Sequence, residues 1–109
     1  MDSIVATFYQ FADLQDFEAK REPLKAECVR HSVVGTIILA PEGINGTIAG
    51  PGAGVESVLR YIRGDERLAK LPARFCGTER ITFHRMKVLL RREIVTLGAP
   101  EADPRKGVG

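Results

Sequence analysis

With 109 residues, 44% apolar and 28% charged, the chain has the size and composition of a single soluble globular domain able to bury its own core. No apolar run approaches the roughly 18 residues of a membrane span, and residues 1–20 lack the basic start and apolar centre of a secretion signal, so a cytoplasmic location without membrane contact is expected. Cys28 and Cys76 form no CxxC pair, which argues against a metal knuckle or redox motif and for two small core hydrophobes.

In chain order, residues 4–9 (IVATFY) are β-branched and aromatic and read as a strand. Asp13 offers a helix N-cap, and residues 14–31 are helical in composition. Pro23 interrupts them, so a kink or two successive helices are expected, with Leu24 and Cys28 on one face. Residues 33–40 (VVGTIILA) form the clearest strand, apolar enough for a sheet centre.

The next stretch, PEGING, carries Glu42, Gly43, Asn45 and Gly46. Asn45-Gly46 is a tight-turn signal, but a turn there would place Pro41 inside a strand, which proline resists. A wide loop over 41–46 is therefore expected, with a short strand at 46–50 and a connector at 51–54. Its role is open between structural support and an interface. Val55, Val58, Leu59 and Ile62 then fall at helical spacing, and Gly64 stands where a left-handed C-cap belongs. Residues 74–78 suit a short strand. In 86–97 (MKVLLRREIVTL), Met86, Val88, Leu90 and Ile94 alternate with Lys87, Arg91 and Glu93. Residues 99–109 read as a linker or tail after a domain at 1–98.

This order predicts an α+β, ferredoxin-like (acylphosphatase-like) sandwich of βαββαβ connectivity. Two helices cover one face of an antiparallel sheet and leave the other face free.

The net charge of +2 conceals an asymmetry: residues 1–71 hold 8 Lys/Arg against 10 Asp/Glu, whereas 72–109 hold 8 against 4. Arg80, Arg85, Lys87, Arg91 and Arg92 fall within thirteen residues with His84 and no acid. Such a run attracts phosphate, or alternatively is a solvated strand face. No nucleophile–base pair, Walker loop or metal-spaced cluster is present, so no catalytic residue, metal or cofactor is assigned. His31 and His84 read as structural or exposed. Acylphosphatases hold phosphate in a glycine-rich loop with an arginine after the first strand. The corresponding residues here, Gln10, Phe11, Ala12, Asp13 and Leu14, include neither and add an acid.

APEGINGTIAG (40–50), followed by FHRMKVLLRREIVTLG (83–98), resembles the N-terminal domain of the rhodanese-related tRNA uridine hydroxylases across nearly the whole chain. The resemblance implies participation in an oxygen-dependent hydroxylation of the wobble uridine of tRNA at C5. It also implies a following rhodanese-like domain that supplies the essential cysteine, near whose expected start this chain ends. Neither Cys28 nor Cys76 stands in such a cysteine loop, so the domain alone is expected to be inactive. Three readings follow. The domain positions tRNA through Arg85, Lys87 and Arg91, with Arg80 and Arg92 behind them. Alternatively it is a module that docks on the rhodanese-like domain, or thirdly an acylphosphatase-like hydrolase.

Overall fold

Side-chain alternation in the first strand decides which way the sheet faces. β1 (Ser3–Phe11) turns Ala6 and Phe8 into the core and Thr7, Tyr9 and Phe11 outward. The computed structural model describes residues 3–78 and 85–92. After β1 come α1 (Phe17–Arg30), β2 (Val34–Ala40), β3 (Gly43–Pro51), α2 (Gly52–Arg63), a 3-10 turn (Glu66–Leu68), β4 (Ala73–Thr78) and β5 (Met86–Leu90). The strand order is β4-β1-β3-β2-β5.

β1 pairs antiparallel with β3 and β4, and β2 pairs antiparallel with β3. These are the pairings of the expected ferredoxin-like sandwich. The sheet is mixed rather than purely antiparallel, because β5 adds to the edge of β2 in parallel. α1 packs over β2 and β5, and α2 over β1 and β3. Both helices therefore lie on the face that carries Phe8, Ile37, Leu39, Ile44, Ile48 and Val88.

The amphipathic spacing of α2 is obeyed: Val55, Val58, Leu59 and Ile62 are all buried. Residues 51–54 are not a connector, however. The helix begins at Gly52, directly behind the last residue of β3. Gly64 is right-handed (φ −68°, ψ −19°), not left-handed, because the chain runs on into the 3-10 turn instead of reversing.

α1 departs further from expectation. It starts after Asp16, not Asp13, and runs unbroken through Pro23. The proline forfeits one backbone bond, but tertiary contacts hold the helix. Leu24 and Cys28 are buried, and the Arg21 Nε donates to the Val88 carbonyl at 2.9 Å. The helix ends without glycine. Ser32 takes the left-handed conformation (φ 61°), with its N–H donating to the Val29 carbonyl at 3.1 Å and that of Val33 to Cys28 at 2.9 Å. This is a Schellman end with serine in the usual glycine position.

The expected wide loop at 41–46 is absent. Ala40 pairs with Gly43, so only Pro41 and Glu42 form the turn, and Gly43, Asn45 and Gly46 belong to β3. Proline presets the turn here instead of lying in a strand, and Gly43 takes a φ of 156° as the strand resumes. Gly46 is a packing residue: a Cβ there would come within 2.7 Å of the Phe8 ring. The last strand also stops short of expectation, at Leu90. Residues 93–98 and the proposed tail at 99–109 lie outside the described residues.

A network of charges ties the 3-10 turn to α1. Asp65 accepts from the Arg67 backbone N–H (2.9 Å) and Nη2 (2.6 Å), and pairs with Lys20. Arg67 also pairs with Asp16 at 2.9 Å. Hydrogen bonding to Arg67 holds the Asp65 carboxyl well below the usual carboxylate range. A carboxyl with a lowered folded-state pKa contributes stability above its unfolded value and loses that contribution as pH falls through that value and below. Asp65→Asn is expected to cost about 1 kcal/mol at neutral pH, the pair being partly screened by solvent. The deficit relative to the native chain should shrink as pH falls below about 4, measured by urea unfolding at each pH.

Candidate nucleic-acid interface

β5 supplies the basic row. Met86 and Val88 face the helices, so Lys87 lies on the opposite face, opposite Thr36 of β2. Arg85 precedes the strand, and its carbonyl accepts from the Gly35 N–H at 3.2 Å. At the other end, the Arg91 N–H donates to the Leu39 carbonyl at 3.0 Å and extends the β2–β5 pairing past Leu90. Arg85, Lys87, Arg91 and Arg92 are all exposed. Spread over six residue steps of near-extended chain, Arg85 and Arg91 are about 20 Å apart. The geometry is a row along a sheet edge, which suits a polyanionic backbone better than enclosure of one phosphate. Arg80 and His84 lie outside the described residues.

Two further cations become visible only in three dimensions. A groove of about 470 Å³ between α1 and the start of β5 is lined by Arg85 and Lys25, with apolar walls from Val29, Val34 and Met86. Across the sheet, Arg74 of β4 pairs in register with Thr7 of β1 and is exposed. It helps line a cleft of about 400 Å³ with Tyr9, Pro72 and Ala73. In contrast to Arg67, which is held by Asp65 and Asp16, Arg74, Arg85 and Lys87 make no ion pair among the described residues.

Of the described aromatics, Phe8 is buried and Phe17 packs partly against the core, whereas Tyr9, Phe11, Tyr61 and Phe75 are exposed. Cys28 is a core thiol, and burial pushes it up to about 12. Cys76 is exposed on β4, not a core hydrophobe. No cluster of three metal-ligating side chains occurs among the described residues. Nor is any described helix long and apolar enough to cross a membrane.

The connection from β1 to α1 is sealed by the hairpin turn. Ala12 N–H donates to the Glu42 carbonyl and Leu14 N–H to the Pro41 carbonyl, both at 2.9 Å. Glu42 thus supports this connection through its backbone.

The fold places the chain among acylphosphatase-like α+β sandwiches. It superimposes on the acylphosphatase from Bacillus subtilis with a TM-score of 0.55 at 11% identity, covering 84% of this chain and all of that one. The BLUF protein BlrB, in its dark state, gives a TM-score of 0.70 at 22% identity over 93% of this chain and 82% of that chain. At such identities these likenesses concern the fold alone. Within that class the family is defined: residues 3–94 match the UPF0176 acylphosphatase like domain, and the chain belongs to that family. It is 50% identical over 106 residues to a tRNA uridine(34) hydroxylase of Albidiferax ferrireducens, covering 97% of this chain and 33% of that protein. It is 47% identical over 108 residues to the protein of the same name from Agrobacterium fabrum, covering 99% of this chain and 34% of that one. The chain thus spans about a third of the length of these curated relatives.

Proposed function

We propose that this domain grips tRNA phosphates for a hydroxylation of the wobble uridine, with the chemistry done by a rhodanese-like domain of a longer enzyme. The observation that carries the proposal is the row of Arg85, Lys87 and Arg91. It stands on the exposed edge of a domain about half identical to part of two proteins named for tRNA uridine hydroxylation. Contacts of this kind position RNA without reading its sequence. In this reading residues 99–109 connect to the catalytic portion and the domain is inactive by itself.

The hydrolase alternative finds no support at the β1–α1 connection. The N–H groups of Ala12 and Leu14, which a phosphate cradle would need, already donate to the hairpin turn.

Reversing Arg85, Lys87 and Arg91 to Glu is expected to weaken tRNA binding by the chain at least ten-fold at low salt. The slope of log K against log salt should fall by roughly 2 to 3. Unchanged affinity in the folded variant, checked by circular dichroism, would remove the basic row from the function and leave docking on the catalytic domain.

A further inference from the structure

We infer that the β1–β4 half of the sheet face opposite α1 and α2 is a stacking platform for unpaired nucleobases, with Tyr9 and Phe11 as the rings and Arg74 beside them. The inference rests on the reading above that the domain meets RNA, and it names the form of RNA: single-stranded nucleotides.

The platform follows from alternation and register. Tyr9 and Phe11 stand two residues apart on a central strand, so both point away from the helices. They are 43% and 55% exposed, and their rings meet edge to face at 5.3 Å with 62° between planes. That contact holds the pair at a fixed angle, so little rotamer freedom is lost when a base stacks.

β4 pairs with β1 only from Ser3 to Phe8, so the strand edge beside Tyr9 has no neighbour from β4. The cleft of about 400 Å³ opens there, with Tyr9 on one wall and Arg74 and Pro72 on the other. It is roomy enough for a flat heterocycle, and Arg74 is placed for a phosphate or a second stacking contact.

Charge selects nucleic acid over protein as the occupant. Among the described residues no outward-facing strand position carries Asp or Glu, while Arg74 and Lys87 stand on the flanking strands. The other half of this face differs in kind. Ile38 and Ala40 are buried there, with Leu89 packed against them. Among the described residues, the exposed aromatic surface of this face is thus confined to β1, with Arg74 of β4 beside it. Sheets of this connectivity that bind single-stranded RNA stack two or three bases on strand aromatics.

The test uses the 109-residue chain with a short unstructured RNA carrying 2-aminopurine, and a duplex RNA of equal length. Tyr9→Ala with Phe11→Ala should weaken single-strand binding roughly ten-fold or more, abolish the fluorescence quenching of the stacked base and leave the salt slope unchanged. Tyr9→Phe with Phe11→Tyr should restore both affinity and quenching. The Glu-substituted basic row should show the converse, a reduced salt slope with quenching retained at saturation. Native-like single-strand binding by the alanine variant, or equal losses for single strand and duplex, would overturn the platform alone and return this face to protein docking. Absence of RNA binding by the native chain at low salt would overturn this inference and the phosphate-gripping role together.

Discussion

Phe8→Ala is expected to lower the unfolding free energy by about 3–5 kcal/mol, the usual cost of emptying a buried aromatic site. Phe8 is 2% exposed on the strand that joins β3 to β4, and its ring lies across the bare backbone of Gly46. Since a domain of this size is stable by only about 5–15 kcal/mol, the loss would be a large share of the total. The ring and the glycine are one device, so their substitutions should couple. Gly46→Ala should destabilise the native chain, because its Cβ would approach the ring to 2.7 Å. In the Phe8→Ala background the same methyl should be tolerated or even fill part of the void. Equilibrium urea unfolding of the four chains measures both terms. A cost below about 1 kcal/mol for Phe8→Ala, or simple additivity, would show that the site collapses without the ring.

This pair explains why the hairpin was hard to read from residue types. Glycine and asparagine at 43–46 look like turn chemistry, yet Gly46 is required by a phenylalanine thirty-eight positions earlier in the chain. Local propensity carries no trace of that contact. Where the burial pattern is local, it was legible: Val55, Val58, Leu59 and Ile62 announce α2, and the apolar run at 33–40 announces β2. α1 is the opposite case. Only Leu24 and Cys28 of its fourteen residues are buried, and it closes on a left-handed Ser32. Neither its true start nor its continuity through Pro23 has a strong sequence mark.

The site divides in the same way. Lys87, alternating with Met86 and Val88, could be placed on a strand face from spacing alone. Arg74, Tyr9 and Phe11 could not be joined, because only the β1–β4 register brings Arg74 beside the aromatic strand. The parallel β2–β5 pairing was invisible for a related reason: alternation fixes a strand's faces but not its neighbour or direction.

Gly35→Ala should also be costly despite adding only a methyl group, lowering the melting temperature by roughly 12 °C or more, equivalent to about 3 kcal/mol. Two penalties combine. Gly35 has a φ of 132°, a region that side chains with a Cβ rarely adopt. A Cβ there would also overlap the Thr47 carbonyl oxygen and sit 2.9 Å from the Cα of Ile48. Both belong to the backbone of the paired strand, so relief requires moving β2 away from β3 rather than rotating a side chain. The Gly35 N–H also donates to the Arg85 carbonyl, so the distortion would reach the base of the cationic row and, on the function proposed above, weaken tRNA binding even at temperatures where the chain stays folded. Gly52→Ala is the matched control. Gly52 opens α2, and a Cβ there would meet nothing within 4 Å, so this change should be neutral or stabilising by about 0.5–1 kcal/mol. Thermal melts of the two variants against the native chain decide the point. Equal and small shifts would mean that the β2–β3 pair yields to a methyl group, and the close backbone approach at Gly35 would lose its role in setting Arg85.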